Sequence, residues 1–173
     1  MYTGKKQRAA VTLYNRARKL FVAGKHAKSA AMFQTFLRKY FDHEFADNAL
    51  YWLGETAYVQ HNWLQALSWF QDVVIRYPEG NKLGDAMLKS ALCYAKLGDP
   101  SYAIKVLTDV ESLFPGKRIA AIARAALGKL VRHLGFDRRG IGCVVVARGQ
   151  REGAPDDGGR RAHRHYSPGV HAS

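Results

Sequence analysis

Residues of like character recur along this chain at a fixed step of 37. Phe33, Phe70 and Leu107 are one such series, and Tyr40, Tyr77 and Phe114 are another. Leu13, Leu50 and Met87 keep the same interval, as do Ala30, Leu67 and Ile104. Pro78 and Pro115 follow it too, with Phe41 at the matching point of the first copy. A unit of this size is too small to bury its own apolar face, so copies must stack on one another, and the result is a solenoid.

The period inside each copy is helical. In the second copy Trp63, Ala66, Leu67, Phe70, Val73, Val74 and Tyr77 keep the 3, 4, 7 spacing of one apolar stripe. Turn residues set the limits. Ala23-Gly24, Pro78-Glu79-Gly80-Asn81, Gly98 and Pro115-Gly116 stop helices. Asn62 and Asp99 stand at N-cap positions, and Pro100 takes a first helical position, where its missing N–H costs nothing. The spacing predicts helices over 9–21, 26–40, 47–60, 63–77, 85–96, 100–114 and 117–134. The expected fold is all-α: a right-handed α-solenoid of three helix pairs plus a closing helix, spanning 10–134. Residues 1–9 form a basic lead. Residues 135–173, rich in Gly, Arg and His, lack helical period and read as a disordered tail, with Ile141 to Ala147 its one apolar run.

Charge is unevenly placed. The chain carries a net +13. Lys5, Lys6, Arg8, Arg16, Arg18, Lys19, Lys25, Lys28, Arg38 and Lys39 fall within residues 1–41, which hold no acid, whereas residues 42–135 balance. Arg16, Lys19, Lys25 and Lys28 form a candidate basic patch for an acidic partner, an anionic membrane or nucleic acid; the plainer reading is a solvated helix face. No apolar run approaches the roughly 18 residues needed to span a bilayer. The opening residues carry charge with no apolar run behind them, so they do not read as a signal peptide. Cys93 fits a core position, and Cys143 lies in the tail.

No nucleophile–base pair, phosphate loop or metal-ligand spacing occurs, so catalysis, a cofactor and a metal are not expected. His26, His43, His61 and His133 are scattered among turns and helix ends, and His163 and His165 make a weak pair.

Leu53-Gly54, Tyr58, Ala66, Phe70 and Pro78 resemble the Leu-Gly, aromatic, Ala, aromatic and Pro positions of a tetratricopeptide repeat. The wording Tyr51-Trp52-Leu53-Gly54-Glu55, then Tyr77-Pro78, then Lys82 to Lys89 is similar to the C-terminal domain of the Tol-Pal-associated periplasmic cell division coordinator family. That resemblance covers residues 10–134. It implies a periplasmic, non-enzymatic peptide-binding scaffold that meets TolA or peptidoglycan-synthesis proteins and couples outer-membrane constriction to wall synthesis. The family's signal peptide and trimerising coiled coil have no counterpart in this sequence. Alternatives are an outer-membrane assembly lipoprotein-type adaptor, or a basic cytoplasmic module binding nucleic acid or an acidic partner.

Carrying the family's groove positions over gives Tyr14, Arg18 and Phe21 in the first unit. The second gives Asn48, Tyr51, Glu55 and Tyr58, and the third Asp85, Leu88 and Leu92. Phe21 and Leu92 read equally well as packing between repeats. Trp63 is expected in the core, and Trp69 between units.

Overall fold

The computed structural model describes residues 4–135. Seven helices follow one another among them: α1 (Gly4–Val22), α2 (His26–Lys39), α3 (Ala46–Val59), α4 (Trp63–Arg76), α5 (Leu83–Lys96), α6 (Pro100–Leu113) and α7 (Arg118–His133). Each packs on the next, and α1 also touches α3, as α5 touches α7. This is the expected all-helical solenoid of three pairs and a closing helix. The 37-residue step holds in the coordinates: α4 and α6 begin and end one step apart, and so do α3 and α5. Helix ends agree with expectation to within a residue or two, except at α1. That helix starts at Gly4, so the described part of the basic lead is helical. The tail reading lies outside the described residues.

The local chemistry explains the boundaries. Asn62 Oδ1 accepts from the Gln65 N–H, and Asp99 Oδ1 accepts from the Tyr102 N–H. Each cap satisfies a donor that the first turn leaves free. Between paired helices the chain passes through the left-handed region at Gly24 (φ 70°), His61 (φ 60°) and Gly98 (φ 83°), each one repeat apart. Histidine stands where the other copies use glycine.

The core is continuous along the stack. Phe33, Phe36 and Phe70 are fully buried, with Leu50, Leu53, Val73 and Cys93 in the same cluster from α1 to α5. A second cluster joins Leu88, Leu107, Val110 and Ala123 across α5 to α7. Each large side chain buried this way contributes about 1.5–3 kcal/mol. Ala66 is fully buried, and Gly54 lies against the Phe70 ring, so the second repeat's two helices cross closely at small residues. Trp63 and Trp69 are both half-buried, and Trp69 packs against the first cluster.

Candidate peptide-binding groove

Helix α3 presents Tyr51, Glu55 and Tyr58 at i, i+4 and i+7, one stripe down a single face. Helix α5 lies beside it and supplies the facing charges. Lys89 Nζ stands 2.7 Å from Glu55 Oε1 and donates to Oε2 at 3.0 Å. The same ammonium lies 4.8 Å from the centre of the Tyr58 ring. Two turns up, Lys82 Nζ lies 5.2 Å from the Tyr51 ring and donates to Asp85 Oδ2 at 2.9 Å. Rings, cations and carboxylates therefore alternate along the α3–α5 junction. The side chains of Glu55 and Lys89 are only 15% and 23% exposed, so each is costly to leave unpaired.

Burial pushes the Tyr51 hydroxyl far above the ordinary phenol range, and the Glu55 and Asp85 carboxylates add to it. Tyr58 is raised as well, mainly by burial. Both stay neutral hydrogen-bonding groups across the physiological range, amphipathic rings of the kind that anchor peptide interfaces.

Two expected groove residues prove to be packing residues. Tyr14 is only 6% exposed, with its ring 5.7 Å from Phe33, 5.9 Å from Phe36 and 4.9 Å from Phe45. Leu88 is 9% exposed in the cluster that holds Leu107. The reason is shared. This repeat position faces the second helix of its own pair, as Tyr51 does where its ring lies 5.5 Å from Phe70. Tyr51 stays half-buried.

The remaining expected residues fall as follows. Arg18 is exposed, its guanidinium 5.3 Å over the Trp52 ring. Phe21 is half-buried, 5.0 Å from the same indole. Asn48 bonds Asp47 Oδ1 and Asn81 Oδ1 through its amide and so ties α3 to the loop before α5. Asp85 is paired with Lys82, and Leu92 is half-buried. Arg16, Lys19, Lys25 and Lys28 are all exposed on α1, α2 and their connection, away from the α3–α5 junction.

Sequence reasoning missed Lys82, Lys89 and Trp52. Trp52 Nε1 donates to the Tyr14 hydroxyl at 2.9 Å and so joins the first repeat to the second. The two lysines carried no signal in sequence for this role, because the Tyr51 and Tyr58 rings and the Glu55 carboxylate they meet lie on another helix. Among the described residues no group of three His, Cys, Asp or Glu side chains could hold a metal ion. Nor is any described helix long and apolar enough to cross a membrane.

Tetratricopeptide-repeat family models match residues 14–81 and 85–116. The chain carries tetratricopeptide repeats. Comparison with curated proteins finds no match. Among solved structures, PcrH from Pseudomonas aeruginosa superposes with a TM-score of 0.64 at 19% identity, covering 76% of this chain and 96% of PcrH. The Yersinia enterocolitica type III secretion translocator chaperone SycD gives 0.62 at 16%, covering 71% and 90%. PcrH in complex with the chaperone binding region of PopB gives 0.60 at 19%, covering 75% and 99%. At these identities the likeness is one of fold.

Proposed function

We propose that this chain is a non-enzymatic protein-binding scaffold that seats a peptide along the α3–α5 junction. The observation that carries this reading is the alternating strip: the Tyr51 and Tyr58 rings, each beneath a lysine ammonium, with Glu55 between them. A peptide carboxylate can take Lys89 while a peptide cation takes Glu55, so the charges exchange partners and neither is left bare. The fold neighbours support the class, since PcrH has been solved with the chaperone binding regions of PopB and PopD.

The finer setting in this proposal is the bacterial cell envelope. Its support is the resemblance of Tyr51 to Glu55 and Lys82 to Lys89 to the Tol-Pal-associated coordinator family, with TolA or a peptidoglycan-synthesis protein as partner and the periplasm as compartment. Titration calorimetry with TolA, and separately with the PopB chaperone binding region, tests partner and groove together. Tyr58→Ala or Lys89→Glu should weaken the bound ligand by about 30-fold, as loss of an interface anchor does. Normal affinity in both variants would overturn the groove.

A second reading rests on the exposed Arg16, Lys19, Lys25 and Lys28. There the ligand is an acidic or nucleic-acid surface. Affinity would fall steeply with salt and with Lys25→Glu and Lys28→Glu, and would ignore Tyr58→Ala.

A further inference from the structure

The far side of α5 carries a second feature. Met87, Ser90 and Tyr94 lie about half a turn round the helix from Asp85, Lys89 and Leu92, so they face away from the α3–α5 junction. With Val74 and Ile75 of α4 and Tyr102 and Val106 of α6 they line a cleft of about 330 Å³. One wall is a stacked pair, Tyr94 and Tyr102, with ring centres 5.2 Å apart, and Gln71 Nε2 donates to the Tyr94 hydroxyl at 2.9 Å. Ser90 is 4% exposed, and its Oγ has no hydrogen-bond partner.

The repeat explains why this cleft exists. One step of 37 earlier, the place of Val106 is taken by Trp69 and that of Ser90 by Leu53. There Leu53 is 2% exposed, and Trp69 packs against the core cluster that contains it. The third repeat keeps the backbone of the second but replaces an indole by an isopropyl group and an isobutyl group by a hydroxymethyl. Space for a large planar side chain opens, and a buried hydroxyl is left without a partner. A buried polar group in that state costs free energy until a ligand satisfies it.

We propose that the cleft between α4, α5 and α6 is a second recognition site, and that it takes a tryptophan side chain from an acidic segment of a partner protein. The ring fills the place that Trp69 fills one repeat earlier, and its N–H donates to Ser90 Oγ. The acidic flank follows from the rim. Lys105 lines the opening with its side chain 71% exposed, held only by a long 4.0 Å contact to Asp109, and no acidic side chain among the described residues lines the cleft. The surrounding apolar side chains reach the surface: Ile75 is 75% exposed and Tyr102 53%.

The test uses the full chain and the blocked tripeptide Asp-Trp-Asp, with Asp-Leu-Asp and Lys-Trp-Lys as controls, followed by ligand-observed NMR. The tripeptide should bind. Asp-Leu-Asp should lose the signal, and Lys-Trp-Lys should bind at least tenfold more weakly. Val106→Trp, which restores the second repeat's own solution, should abolish binding without lowering the melting temperature. Ile75→Glu changes only the exposed rim and should weaken the acidic peptide about tenfold, so the idea stays testable if the core variant fails to fold. Tyr58→Ala should leave this binding unchanged, which separates the site from the α3–α5 groove. No binding of Asp-Trp-Asp by the wild-type chain, or equal binding by the Ile75→Glu variant, would overturn the proposal.

Discussion

Gly54→Ala adds one methyl group at the tightest contact in the second repeat. A Cβ built there would lie 2.4 Å from Phe70 Cε1, 2.6 Å from Cδ1 and 2.8 Å from Cζ. These are ring atoms of a fully buried side chain, so relief requires moving the ring or the helix. Overpacking of this kind costs about 1–3 kcal/mol, and the approach here is about an ångström too close, which argues for the upper end. Alanine returns about 1 kcal/mol of helix propensity over glycine. The net expectation is a loss of about 2 kcal/mol, or a drop of roughly 6–8 °C in a circular dichroism melt.

The first repeat pairs Ala17 with Phe33 at the same two positions. Helix α1 is the first described helix and rests on α2 with only a light touch on α3, so it can stand further off. Helix α3 is held by both α2 and α4 and lacks that freedom. Gly128→Ala in α7 is the control. Its added methyl meets only the Arg132 guanidinium, at 3.3 Å, and should stabilise by about 0.5–1 kcal/mol. Adding Gly54→Ala to Phe70→Leu reproduces the third repeat's Ala91 and Leu107 and should be neutral or favourable in that background. If Gly54→Ala alone leaves the melting temperature unchanged or raises it, the inference that α3 is clamped is wrong.

Three further outcomes follow from the geometry. At His61, held at φ 60° where the neighbouring copies use glycine, His61→Gly should be neutral or stabilising by up to about 0.5 kcal/mol, and His61→Val should destabilise by about 1 kcal/mol in urea melts. Burial pushes the Cys93 thiol from an ordinary 9.0 up to about 12. The folded state therefore favours the neutral thiol, and the resulting stability is full below pH 9 and lost as pH rises towards 12, at up to about 1.4 kcal/mol per pH unit; Cys93→Ala should flatten that part of the alkaline limb in urea melts. Lys89→Met removes the partner of a mostly buried Glu55 carboxylate and should lower stability by about 1–2 kcal/mol in urea melts, with Glu55→Gln in the same chain recovering most of it.

The architecture was readable because each copy repeats the same apolar positions. Phe33, Phe70 and Leu107 all reach the core, and Asn62 and Asp99 cap the helices they precede. The site was less readable for a reason visible in Tyr14 and Leu88. Helical spacing gives the side of a helix that a residue occupies, but not whether a neighbouring helix covers that side. Tyr14, Tyr51 and Leu88 share one repeat position; two are buried and one is half open. Lys89 lies beyond such reasoning, because its closeness to Glu55 depends on how α3 and α5 sit together. The cleft at Ser90 could have been read from the 37-residue alignment, since it arises where the third copy departs from the second.

Hydrogen–deuterium exchange on the complex shows whether a partner lies along the α3–α5 junction. With TolA or the PopB region bound, amides of Tyr51–Tyr58 and Asp85–Leu92 should gain protection, while those in α2 and near Lys25 and Lys28 should not change. Protection confined to the basic α1–α2 end, with the α3–α5 junction unaffected, would contradict that placement.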